Sequence, residues 1–154
     1  MSRVFLISSN TTTEPYPVYP LGMALVAAAL VECGHEVRQF DWLVAGQSEQ
    51  ALRCAVEEFS PDVVSLSLRN IDNVDSFSAE DGWYLAEARR LVALFRQVCD
   101  KPVVVGGPAF SIMPEAILDY LGADHGVAGE GERALCELVE GLAAGRSMPR
   151  LFAG

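Results

Sequence analysis

Few residues of this 154-residue chain have the types and spacing that chemistry demands, and they fall into four short segments. Gly106-Gly107-Pro108 follows a run of three valines. Paired glycines there either permit a tight turn with positive φ or clear side chains from a place where something must approach the backbone. Ser65 and Ser67 interrupt the run VVSLSL, and Leu68-Arg69-Asn70 closes it. A buried hydroxyl usually takes a backbone partner, but Ser67 is also placed to meet a ligand. Arg69 and Asn70 need polar partners of their own, either a ligand or Asp72 or Asp75. Gly129-Glu130-Gly131-Glu132 offers free backbone N–H groups and two carboxylates. Glu132 suits the start of a helix, where negative charge is favoured.

The fourth segment covers residues 9–22. Asn10, Thr11, Thr12 and Thr13 resemble a phosphate cradle only in part, because its sole glycine is Gly22 at the far end. Anion loops need glycine for close approach. Pro15, Tyr16, Pro17, Val18, Tyr19 and Pro20 make a stiff aromatic floor instead. That floor suits a flat organic ligand better than a bare phosphate.

Several function classes are disfavoured. A formal charge of −10 works against nucleic acid as a partner, because phosphate binding depends on clustered Lys and Arg. The longest apolar stretch, residues 21–31, is about half of a membrane span. The N-terminus runs straight into a strand pattern and is no signal peptide. Cys33, Cys54, Cys99 and Cys136 have neither metal-ligand nor redox-motif spacing. They are expected as buried free thiols in a reducing cytoplasm. No metal site made by the protein itself is predicted.

The elements that position these segments read as one domain. Strands are predicted at residues 4–8, 36–42, 63–68, 103–105 and 125–128, with helices at 22–33, 48–59, 83–98, 114–121 and 133–144. Gly34 and Gly122 stop helices, Ser48 caps one, and Pro114 opens another. Strands alternating with helices, and no hairpin signal, predict an α/β fold with a parallel sheet. Five such units give a flavodoxin-like, doubly wound, three-layer αβα sheet of order 2-1-3-4-5, whose ligand lies at the carboxyl rim. The second strand, which alternates, belongs near an edge. The domain is expected over residues 1–145, and residues 146–154 read as a linker leading to a further segment.

Six pieces occur in order: Tyr19-Pro20-Leu21-Gly22; Gly34-His35-Glu36-Val37 with Asp41; Pro61-Asp62-Val63-Val64; Ser67-Leu68-Arg69-Asn70; Val105-Gly106-Gly107-Pro108; and Gly129-Glu130-Gly131-Glu132. Together, over about residues 3–145, they resemble the cobalamin-binding domain at the N-terminus of B12-dependent radical SAM enzymes. The resemblance implies a corrin across the carboxyl rim, with residues 9–22, Pro15, Tyr16, Val18 and Tyr19 among them, beneath it. It also implies a nucleotide tail threaded between sheet and helix past Gly106-Gly107, with Ser67 meeting its base. The implied site comprises Tyr16, Tyr19, Gly22, Ser65, Ser67, Leu68, Arg69, Asn70, Gly106, Gly107, Pro108, Gly129, Glu130 and Gly131. A branched side chain at Gly106 or Gly107 should then block the tail in a folded protein. The implied enzyme performs methyl transfer or related radical chemistry. S-adenosylmethionine and an iron-sulfur cluster belong to a radical SAM domain in cis. The cluster motif Cys-x-x-x-Cys-x-x-Cys and the Asp-x-His-x-x-Gly signature of other B12 domains are absent from this sequence, so no catalytic residues are assigned. Two other ligand or signalling classes make demands of their own. An FMN-binding electron carrier wants glycine among Thr11–Thr13; a receiver-like signalling domain wants an acidic cluster after the first strand and a lysine after the fifth.

The only histidines, His35 and His125, both stand at strand starts. Strand starts lie on the rim opposite the site, and a strand of five or six residues is about 17–20 Å long. Neither imidazole can then reach cobalt, and cobalamin should bind base-off without a protein ligand. Electron paramagnetic resonance of the cob(II)alamin form should show no nitrogen splitting that depends on either residue. Splitting abolished by His35→Ala or His125→Ala would contradict this.

Overall fold

Arg3–Ser8 (β1) is buried along almost its whole length, because a strand in a sheet covered on both faces must be apolar on both. Its alternate residues enter separate core clusters. The computed structural model describes residues 1–13, 15–71 and 84–154. After β1 come Leu21–Glu32 (α1), Glu36–Asp41 (β2), Glu49–Phe59 (α2), Val63–Ser67 (β3) and Tyr84–Val98 (α3). Val103–Gly106 (β4), a 3-10 turn at Phe110–Ile112, Pro114–Leu121 (α4), His125–Ala128 (β5), Gly131–Ala143 (α5) and Leu151–Ala153 (β6) complete the order. All pairings are parallel, in the order β2-β1-β3-β4-β5-β6.

The predicted order 2-1-3-4-5 holds, with β2 at an edge, but the sheet has six strands where the sequence suggested five. The sixth comes from the tail read as a linker. Leu151, Phe152 and Ala153 pair with Gly126, Val127 and Ala128. The Gly154 N–H continues the ladder to the Ala128 carbonyl at 2.7 Å. Three residues are too few for alternation to be read, so edge pairing rather than pattern makes this strand.

Local signals act as expected. The Ser48 hydroxyl accepts from the Ala51 N–H and caps α2. Pro114 opens α4, and Gly122 ends it at φ +67°. One side of the sheet carries α2, α3 and α4 over Phe5, Ile7, Val64, Leu66, Val103 and Val105. The other carries α1 and α5 over Val4, Leu6, Val63, Val104 and Val127. On the first side the buried Trp42 indole donates to Glu87 at 2.8 Å, and Arg90 holds the same carboxylate. Burial pushes the Glu87 carboxyl up, but the bonds from Arg90 and Trp42 outweigh it and leave it below its usual value.

The cysteines depart from the expectation of uniform burial. Cys33 and Cys54 are exposed, Cys99 is half-buried, and only Cys136 is buried. Cys33 lies at the C-cap of α1, and Cys54 on the solvent side of α2, whose buried face is Leu52, Ala55, Val56 and Phe59. Burial, and contact with Cys33, push the Cys136 thiol up to about 12, so it stays protonated.

Phe110 is fully buried, and a β-carbon on Gly126 would fall on its ring. Gly126→Ala therefore overpacks this contact and should cost about 1–3 kcal/mol. Urea denaturation should report that loss; unchanged stability would show that Phe110 has room to move.

Candidate functional site

The strand residues facing α1 and α5 become small toward the carboxyl rim. Leu6, Ser65 and Val104 form one row across the sheet, and Ser8, Ser67, Gly106 and Val127 form the next. Two serines beside a glycine do not fill the space beneath two helices, and a cavity of about 210 Å³ remains there. Met23 and Val26 of α1 and Leu135 of α5 make its outer wall. Gly106, Gly107 and Pro108 border it on one side; Gly129, Glu130, Gly131 and Glu132 border it on the other.

Each predicted residue has a definite place. Gly22, Ser65, Ser67, Gly106, Gly107, Pro108, Gly129, Glu130 and Gly131 line the cavity. No described group hydrogen-bonds the Ser65 or Ser67 hydroxyl, whereas the Ser67 carbonyl accepts from the Ser9 hydroxyl at 3.0 Å. Gly131 lets α5 start close to α1, with the Val26 methyl 3.2 Å from where its β-carbon would stand. Leu68 is elsewhere: its side chain sits in the core under α2 and α3. Its backbone bonds Gly106 and Ala109. Arg69 is exposed and Asn70 half-buried, both off the cavity. Their proposed partners Asp72 and Asp75 lie outside the described residues. Tyr16 and Tyr19 are 67% and 68% exposed on the loop before α1, outside the cavity wall.

The glycine pair separates into two roles. At Gly107 φ is +103°, and a β-carbon would lie 2.9 Å from the Leu68 backbone nitrogen. The turn itself requires this glycine. Gly106 has ordinary φ, and its β-carbon would meet Val127 alone, its carbonyl oxygen at 3.3 Å and its Cβ at 3.8 Å. Replacement at Gly107 therefore strains the turn as well as filling space, because the fold already uses its missing side chain, whereas replacement at Gly106 tests space alone.

The apolar wall was not anticipated, since Met23, Val26, Val127 and Leu135 look like ordinary core residues. The signal was present in the serines at 65 and 67: small polar residues on a buried strand face imply unfilled volume behind them. Thr12 is unavailable to a phosphate. Its N–H donates to Asn10 Oδ1 at 3.3 Å, and its hydroxyl donates to the Tyr84 hydroxyl at 2.6 Å. His35 is 8% exposed, and its Nδ1 accepts from the Ser2 N–H at 3.2 Å. Burial, and then the N-terminal ammonium, hold its pKa below the usual value. The His125 ring contacts the Pro149 carbonyl at 2.8 Å, and neither histidine lines the cavity. Among the described residues no group of three His, Cys, Asp or Glu is placed to hold a metal ion.

The two glycines should respond differently to alanine. Gly107→Ala imposes backbone strain of order 1–3 kcal/mol besides its clash with Leu68. Gly106→Ala needs only a small shift at Val127 and should cost less than about 1 kcal/mol. Equal losses in urea denaturation would contradict the assignment.

Comparison with known proteins bears on what this cavity serves. The B12 binding domain family matches residues 8–139. The tryptophan 2-C-methyltransferase of Streptomyces laurentii is 32% identical over 96% of this chain and 24% of its own. The cytidylyl-2-hydroxyethylphosphonate methyltransferase of Streptomyces wedmorensis is 28% identical over 91% of this chain and 28% of its own. The chain thus spans about a quarter of the length of these curated relatives. The structure of the radical S-adenosylmethionine methyltransferase TsrM from Kitasatospora setae, with cobalamin and a 4Fe-4S cluster bound, superposes with a TM-score of 0.87. It shares 34% identity and covers 96% of this chain and 26% of its own. The cobalamin-dependent S-adenosylmethionine radical enzyme OxsB shares the fold, at a TM-score of 0.71 and 18% identity. The chain belongs to the B12-binding domain family.

Proposed function

We propose that this domain holds cobalamin base-off, with the corrin over the carboxyl rim and the nucleotide tail in the cavity beneath α1 and α5. The observation that carries this reading is the pair of unengaged hydroxyls, Ser65 and Ser67, in a cavity bounded by strand-end glycines. The donor set fits the group. Apolar Met23, Val26 and Leu135 would hold a flat aromatic base, and the Ser65 and Ser67 hydroxyls would offer it hydrogen bonds. The glycines leave the mouth free of side chains. Gly22 supports the fit independently, since a β-carbon there would meet nothing within 4 Å. Protein packing does not require that glycine.

Tyr16 and Tyr19 stand exposed at the same rim and would floor the corrin. The His35 and His125 imidazoles are tied to Ser2 and Pro149 at the strand starts, which supports a cobalt without a protein nitrogen ligand. Bound cobalamin supplies a cobalt centre able to carry and release a methyl group. A radical SAM domain in cis would supply S-adenosylmethionine and the iron-sulfur cluster, as part of a methyltransferase or a related radical enzyme. The backbone of Gly154 lies against Gly129 and Glu130, so this end of the chain is at the cofactor rim. No helix among the described residues is long and apolar enough to cross a membrane. We place the protein in the cytoplasm, in keeping with its free thiols. An FMN carrier is disfavoured by the engagement of Thr12.

The test is retention of hydroxocobalamin or FMN after desalting, read by visible absorbance. Cobalamin should remain with the protein and FMN should not. Ser65→Leu and Ser67→Leu, which fill the cavity, should weaken cobalamin binding by about tenfold or more. Retention of FMN alone, or wild-type affinity in both leucine variants, would refute the assignment.

A further inference from the structure

A single side chain joins the two loops that form the mouth of the cavity. Ser111 lies in the 3-10 turn Phe110–Ile112 between β4 and α4. Its hydroxyl donates to the Gly107 carbonyl at 3.1 Å and accepts from the Gly129 N–H at 2.9 Å. Its own backbone N–H reaches the same Gly107 carbonyl at 3.2 Å. Gly107 belongs to the wall that continues β4, and Gly129 to the wall that leads into α5. The ladder between these strands ends at Gly106 and Val127. Beyond that pair, no other described hydrogen bond links the two loops. The turn carrying Ser111 is anchored from below by Phe110, which is fully buried against Gly126. The hydroxyl is therefore held by a buried base and bridges two backbones that no other described hydrogen bond joins past the Gly106–Val127 pair.

We propose that Ser111 is a positioning residue for the cofactor site, a clasp that fixes the width of the cavity mouth before the ligand arrives. It holds a lining residue of each wall without itself lining the cavity, and need not touch cobalamin. Its contribution is preorganisation: two loops already held at the right separation lose less freedom on binding. Both of its partners are main-chain groups, so the clasp exists in the ligand-free protein. The inference rests on the reading of the cavity as the seat of the cobalamin tail.

The experiment compares wild type, Ser111→Ala, Ser111→Thr and Ser48→Ala by equilibrium dialysis with hydroxocobalamin, alongside thermal melts. Ser111→Ala should weaken binding by about tenfold, since it removes both hydrogen bonds. Ser111→Thr keeps donor and acceptor and should bind within about twofold of wild type. Ser48 caps α2 on the far side of the sheet, so Ser48→Ala should lower the melting temperature and leave affinity intact. Wild-type affinity in Ser111→Ala would overturn the proposal, as would weakening by Ser48→Ala equal to that by Ser111→Ala. If wild type itself retains no hydroxocobalamin, the cobalamin reading fails and the clasp fails with it.

Discussion

The organising constraint is missing volume at one end of one sheet face. Wherever α1 and α5 cover large strand residues such as Val4, Leu6 and Val63, the core is packed. Toward the carboxyl rim the same face presents Ser65, Ser67 and Gly106, and the helices do not collapse onto them. An open cavity of about 210 Å³ forgoes packing contacts that the rest of this face makes, at a cost in stability. The serine hydroxyls and the open mouth let water offset some of this cost. A shape kept at such expense, on the rim where parallel sheets place their ligands, is the mark of a binding site.

The other features follow from holding that space open. Gly107 closes the β4 turn against Leu68 without a side chain. Gly131 lets α5 begin against Val26. The opposite layer is rigid by contrast: it is packed around Phe5, Phe95 and Phe110 and tied through Trp42, Glu87, Arg90 and Glu49. One layer thus supplies stability and the other supplies room. Helix α1 is apolar on all sides, and its outer residues Leu21 and Leu25 are 62% and 50% exposed. A helix of that composition is usually buried.

Much of this was legible in the sequence, because periodicity and caps are local. The runs at residues 4–8, 63–68 and 125–128 read as short strands between turn signals, and Ser48 and Gly122 mark helix ends directly. The position expected for a ligand, at the carboxyl rim, follows from topology alone. What was not legible depended on three-dimensional neighbours. Three residues of β6 carry no pattern, and only an available edge on β5 makes them a strand. Gly107 and Gly106 are indistinguishable in sequence; the nearness of Leu68 to one of them separates their roles. Cys33 and Cys54 read as buried because each sits in a helical apolar pattern or at a helix end, but both are exposed. Ser111 looks like any loop serine until the Gly107 carbonyl and the Gly129 N–H are seen to converge on it.

The most direct test is a crystal structure of this chain grown with hydroxocobalamin. The nucleotide tail should lie between the sheet and helices α1 and α5, with its base beside Ser65 and Ser67, detached from cobalt. A base still coordinated to cobalt, or a tail lying outside this cavity, would contradict the assignment of the site.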